Sequence, residues 1–356
     1  DNNLEFCIDN CEPKECYNLS KLDVSQITNM DSIFEHSNYN GDIGNWDVSN
    51  VTSMFKMFAF NREFNSPLNN WDVSNVKNIK EMFSNCIKFN QNLNNWDTSN
   101  VVNMIKVFSK AKVFNGDISN WDVSNVTSMS SMFFETKEFN QDLNNWDTSN
   151  VNNMEGMFKY TEKFNQPLKF DTSSVTDMSY MFYNAKSFNQ PLNFDTSNVT
   201  NMRYMFYYAE KFNHPLNFDT SNVKNMEWMF YNAIAFNQLL KFDTSNVTNM
   251  NHMFYNARSF NQPLNFDTSN VINMEIMFGY AESFNQELNF DTSKVTSMRT
   301  MFYNAKSFNQ PLNFDTSNVI SMEGMFYNTK YFNQAINFDI SKATIMSYMF
   351  EKTKAF

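Results

Sequence analysis

Fourteen aspartates return along the chain at near-constant spacing: Asp23, Asp47, Asp72, Asp97, Asp122, Asp147, Asp171, Asp195, Asp219, Asp243, Asp267, Asp291, Asp315 and Asp339. A row of carboxylates is the arrangement that could hold Ca²⁺ through hard oxygen ligands, with ions bridging neighbours. Carboxylates about one strand spacing apart repel by roughly 1 kcal/mol per pair in water, so something must offset them. Each Asp has Ser two places on, as in Asp195-Thr196-Ser197. An Asp so placed accepts backbone N–H groups in an Asx turn or a helix cap. Capping needs no ion, and the Gly-rich multi-Asp loop of known calcium solenoids is missing.

Two further columns share the spacing. Asn189, Asn213 and Asn237 belong to an Asn row whose amides, once in register, can satisfy loop carbonyls and stack as a ladder. Thr196, Thr220 and Thr244 belong to a Thr row that serves either strand-end hydrogen bonding or a flat array toward ice or carbohydrate. Catalytic chemistry has no such foothold. The three histidines, His36, His214 and His252, occupy different repeat positions. Ser-His-Asp patterns, phosphate-cradling Gly loops and dinucleotide fingerprints are absent. The chain therefore reads as neither an enzyme nor a cofactor-binding protein. The 25 Met fall at core spacing with Phe, which means packing rather than soft-metal binding.

Cys7, Cys11 and Cys16 crowd residues 1–20, outside the repeats. They suit an N-terminal cap with one disulfide and one thiol over, in an oxidising compartment. Zinc would need a fourth ligand that is not nearby. Cys86 stands where later repeats carry Ala and reads as a small core residue. Sequons at Asn18, Asn50, Asn125, Asn198 and Asn246 are candidate glycosylation sites in a eukaryotic secreted protein, although Asn-Val-Thr is also inherent in the repeat.

The elements that must position these columns follow from the interval, which is 24 or 25 residues throughout. Within a unit, Leu192 and Phe194 alternate with Asn193, the period of a short strand with one buried face. Val199, Met202, Met205, Phe206 and Ala209 then share a face at helical or 3₁₀ spacing. Asn184, Asn232, Asn256, Asn304 and Asn328 follow Phe-Tyr and are candidates for the left-handed residue that ends the helical segment. The expected fold is a leucine-rich-repeat-like solenoid. Its coils would combine one short parallel β-strand with a short helical or 3₁₀ segment, about fourteen coils in a single elongated domain over 21–356. Early units (to about 165) carry one extra residue and Trp, as in Leu93-Asn94-Asn95-Trp96; later ones carry Phe. A bulge would absorb the extra residue and keep the ring inward, with a change of coil shape near 165 rather than a domain boundary.

Units such as Trp121-Asp122-Val123-Ser124-Asn125-Val126-Thr127-Ser128-Met129, followed by Met132-Phe133 and Phe139-Asn140-Gln141, resemble the BspA-like repeat of bacterial and mycoplasma surface lipoproteins. The same repeat occurs in some protists, algae and large viruses, and the resemblance covers roughly 21–356. It implies a relative of leucine-rich repeats with Met and Phe largely replacing Leu. It also implies surface exposure, adhesion to host or matrix proteins, and no catalytic residues. The chain shows no lipobox cysteine.

The net charge of −11 with scattered Lys and Arg argues against a nucleic-acid partner. No run of 18 apolar residues offers a membrane span. The chain opens at Asp1 and stops at Phe356 inside a unit. That reads as part of something longer, or as an end covered by a partner. Between repeats, variation concentrates before Met-Phe, at Tyr180, Tyr204, Trp228, His252 and Ile276, and in the loop at Ile234. This is the candidate binding surface, with Trp228 and Ile234 as a hot-spot pair. Two functions follow: an extracellular or surface adhesion module for a protein or glycan ligand, or a structural subunit of a filament, coat or viral shell (virion surface included) built from copies of itself.

Overall fold

The computed structural model describes residues 19–354. Two compact units divide the chain, Asp1–Ser174 and Val175–Phe356, a division the repeat pattern does not announce. The Cys7, Cys11 and Cys16 cluster, Asn18 and Phe356 lie outside the described residues. Among the described residues the one regular helix is the 3₁₀ turn Leu19–Lys21. No helix is long and apolar enough to cross a membrane.

The expected helical segment is therefore corrected. In its place each repeat makes two tight turns. In the second unit, Met181 N–H donates to Met178 O (3.3 Å) and Ala185 N–H to Phe182 O (3.1 Å). The third residues of these turns, Tyr180 and Asn184, have φ of 58° and 55°, as type II turns require. The intervening Tyr183 N–H donates to Tyr180 O (3.0 Å). Alternate residues look outward instead: the N–H groups of Met178, Tyr180, Phe182 and Asn184 donate to Asn201, Arg203, Met205 and Tyr207 of the next repeat. The first unit does the same around Lys56 and Phe60, with φ of 55° and 60°. Left-handed residues every few positions forbid a continuous helix, because each reverses the local handedness. Two turns in succession nevertheless bury every third or fourth residue, which is why the spacing mimics a helix.

The expected strand is likewise reduced to bridges. Parallel pairing sits mostly on the residue before the first Met, as in Asn201↔Asn225, and touches the Leu position at places such as Leu192↔Leu216 and Leu288↔Leu312. The extra residue of the Trp repeats is taken up by a four-residue turn rather than a bulge: Trp96 N–H donates to Leu93 O (3.1 Å) across Asn94-Asn95. The Trp rings stay inward at 2–4% exposure. Trp46, Trp71, Trp96 and Trp121 stack with centroids 6.1–6.5 Å apart. Each of these indole N–H groups from Trp71 onward donates to an Ile or Leu carbonyl one repeat back, such as Trp96 to Leu68 (2.9 Å). A phenyl ring needs no such acceptor, so the later repeats bury Phe194 and Phe218 without the turn. In both units, columns of Met and Phe, among them Met57, Phe58, Met205 and Phe206, fill the interior with no exposure.

Candidate functional site

Of the three polar columns, Asp fastens the turn within its own repeat, while Asn and Thr fasten one repeat to the next. Asp219 Oδ1 accepts the Ser221 N–H (3.0 Å) and hydroxyl (2.7 Å), and Asp243 does the same for Ser245. Asp195 Oδ1 accepts the Ser197 N–H at 2.9 Å. These serine bonds hold carboxyls such as Asp219 below the usual Asp range, against a small opposing effect of burial. Among the described residues no three His, Cys, Asp or Glu side chains gather as a metal-ligand set. Asn189 Oδ1 accepts Asn213 N–H (3.0 Å), Asn213 Oδ1 accepts Asn237 N–H (2.9 Å), and Asn237 Oδ1 accepts Asn261 N–H (2.9 Å). Thr196 and Thr220 are buried, their hydroxyls on Asp219 O and Asp243 O at 2.8 Å, so no flat Thr array faces solvent.

The sequon asparagines Asn50, Asn125, Asn198 and Asn246 are exposed. The amides of Asn50, Asn125 and Asn246 are already committed to the Ser25, Ser99 and Ser221 carbonyls at 2.7–2.8 Å. Cys86 is buried, its thiol donating to Phe58 O at 2.8 Å, and burial raises its pKa.

The longest aromatic rows outside the core lie in the second unit. The first left-handed position of each repeat projects its side chain over the same track. Tyr180 stacks on Tyr204 (4.7 Å), Tyr204 on Trp228 (5.6 Å) and Trp228 on His252 (3.8 Å), all within 12° of parallel. Three residues on, a second row runs alongside: Tyr183, Tyr207, Tyr231 and Tyr255, at 4.3–4.6 Å. Tilted contacts join the rows, such as Trp228–Tyr231 at 5.0 Å. All eight rings are half-buried. Ile276 follows His252 in the first row, half-buried, and ends the stack with an aliphatic side chain. Ile234 lies in the loop beyond, 36% exposed, its carbonyl accepting Ser259 N–H (3.2 Å).

Sequence reading passed over the second row, treating its tyrosines as the residue before the left-handed Asn. The available signal was that two residues three apart in a repeat, both aromatic over four repeats, must form two parallel rows. Burial, then the neighbouring phenols, push the Tyr231 hydroxyl well above its ordinary pKa. Burial and the Arg299 charge lower His252 to about 4, and its Nδ1 is buried without a hydrogen-bond partner. Such a strip offers flat apolar faces rimmed by hydroxyls, a surface for contact rather than for proton transfer. The equivalent track in the first unit holds Ser32, Lys56, Glu81, Lys106, Ser131 and Gly156.

Turn-fastened repeats that bond each to the next define a solenoid-like repeat protein. The chain belongs to the family described as "Mycoplasma protein of unknown function, DUF285", matched at residues 2–112, 88–193, 168–265, 237–313 and 289–356. The curated proteins yielded no match. Solved structures with some similarity include the TLR13–ssRNA13 complex (13% identity, TM-score 0.26), covering 83% of this chain; the chain spans 49% of that protein's length. An internalin, InlF, from Listeria monocytogenes shows 10% identity and a TM-score of 0.29, with 82% of each chain covered. A leucine-rich repeat protein from Bacteroides ovatus shows 11% identity and a TM-score of 0.33, with 87% of this chain and 88% of that one covered. At these scores the likenesses carry no argument about ligands, and the expectation about nucleic acid rests on charge alone.

Proposed function

We propose that the protein is a surface-exposed adhesion module that captures a protein ligand on the aromatic strip of its second unit. One observation carries this reading: eight half-buried rings in two parallel rows, Tyr180 to His252 and Tyr183 to Tyr255, lie together outside the core. Aromatic side chains dominate protein-interface energetics because they are large, rigid and amphipathic. The extracellular setting is supported by the mycoplasma family and by the resemblance to BspA-like surface repeats. Ile276, at the next first-track position, continues the first row as an apolar margin.

The test is binding of the full chain to immobilised extracellular-matrix proteins, fibronectin and laminin among them, against the Tyr204→Ala/Trp228→Ala variant. Loss of two such anchors should weaken a real contact by about 2 kcal/mol or more. Equal binding by both proteins, with circular dichroism unchanged, would remove the strip from the interface. No binding to any matrix protein would count against adhesion itself.

A further inference from the structure

The first aromatic track has one notch. Gly324 takes the left-handed position (φ 57°) that Tyr180, Tyr204 and Trp228 occupy elsewhere. With no side chain there, a recess of ≈ 350 Å³ opens, lined by Thr300, Tyr303, Glu323, Tyr327, Tyr348 and Glu351. Tyr303 and Tyr327 continue the second-row stacking along its wall (4.9 Å, 11°). Tyr348 stands at the next first-track position. Thr300 stands at the preceding one, and its Oγ1 is buried with no hydrogen-bond partner.

The fold itself shows what fills such a place. Where the position carries a ring, that ring stacks on the next repeat's ring at 3.8–5.6 Å and leans against the second-row ring of its own repeat, as Tyr204 does on Tyr207 (5.7 Å). A ring entering above Gly324 would meet Tyr348 and Tyr327 in those two roles. The polar groups select its chemistry. Arg299 already holds Glu323 (2.8 Å), and Lys352 lies over the Tyr327 ring (4.9 Å) and donates to its hydroxyl. The Glu351 carboxylate remains as an acceptor on the lining. An anion or a pure acceptor would meet carboxylate repulsion, whereas an O–H or N–H on the ring would be bonded.

We infer that the Gly324 recess is a socket for an aromatic side chain carrying a hydrogen-bond donor, Tyr or Trp, presented by a partner polypeptide. This rests on the binding reading above but places an anchor point away from the eight-ring strip. The geometry of the test follows from the repeat. Gly324→Tyr installs the ring that other repeats carry at the same φ; its Cβ would lie 3.1 Å from Thr300 Cγ2, which must give slightly, and the ring blocks the socket.

The experiment titrates the full chain with N-acetyl-L-tyrosinamide, reading Thr methyl resonances in labelled protein, with N-acetyl-L-leucinamide as comparator. Saturable shifts at Thr300 are expected, with the leucine compound about fivefold weaker, the size of an aromatic contact. Gly324→Tyr should abolish them, and Tyr348→Ala should weaken them several-fold, while Tyr204→Ala/Trp228→Ala leaves them unchanged. Equal affinity for the two compounds, no saturable shift, or shifts that persist in both Gly324→Tyr and Tyr348→Ala would overturn the socket. Because the eight-ring variant leaves this readout alone, loss of matrix binding and loss of the socket are separate results.

Discussion

Left-handed backbone is the residue-scale signature of this protein. Among the described residues, twenty-six non-glycine residues have positive φ, including Ile276 (57°) and Thr300 (50°), whose β-branches fit that region poorly. Each costs on the order of 1 kcal/mol locally. The compensation is direct, because the same turn points alternate N–H groups at the next repeat's carbonyls. His252 shows the price of placing a titratable ring on such a track. Its folded pKa of about 4 lies below the ordinary 6.5. Between those values the unfolded chain binds a proton that the folded chain refuses, so stability falls as pH drops through that window. Urea unfolding at about pH 7.5 and about pH 5 should show a larger loss for the native chain than for His252→Phe. Identical losses would mean that the ring is protonated freely in the folded state.

At the scale of the element, the two repeat lengths are two solutions to burying an aromatic ring. The Trp solution needs an acceptor for the indole N–H, supplied from the preceding repeat, as Leu68 O supplies Trp96 at 2.9 Å. The added turn at Asn94-Asn95 sets the ring at that carbonyl. Trp96→Phe should therefore destabilise the chain by about 2 kcal/mol, since it removes a buried hydrogen bond and volume from the stack, although Leu68 O keeps the Trp71 N–H (3.1 Å). Chemical denaturation followed by Trp fluorescence measures this. A change within about 0.5 kcal/mol would show that the bond is dispensable. The same comparison explains why a bulge was the wrong expectation. Counting residues detects the insertion, but a bulge and a turn insert the same one residue, and only the Trp96 N–H to Leu93 O bond separates them.

On the scale of each unit, stability is a sum of repeat and interface terms, because hydrogen bonds run to the adjoining repeat. Removing residues 220–243 joins Asp219 to Thr244 and keeps every row in register. That deletion should preserve cooperative unfolding with a smaller denaturant slope, in proportion to the surface lost. Removing residues 220–231 instead puts every following row out of phase, setting Asn, Met and Phe columns against the wrong neighbours. Loss of cooperative unfolding is the expected result, measured by the same urea titration. If the two deletions behaved alike, the rows would not be what aligns the repeats.

Much of this was legible from residue order. The repeat, its change from 25 to 24 residues, the inward Met and Phe columns and the left-handed Asn184 and Asn232 all depend on local chemistry and period, which a single chain carries in full. The first aromatic track was legible too, as the place where Tyr180, Tyr204, Trp228 and His252 vary. Tertiary structure alone decided the rest. A helix and a pair of type II turns bury the same residues, and they differ in whether an N–H bonds within its own repeat or to the next. The second tyrosine row became a surface only when successive repeats stacked ring on ring. The notch at Gly324 becomes a walled recess only because the next repeat sets Tyr348 beside it, opposite Tyr327. Contacts between residues a full repeat apart are set by packing, and packing is what the linear order leaves open.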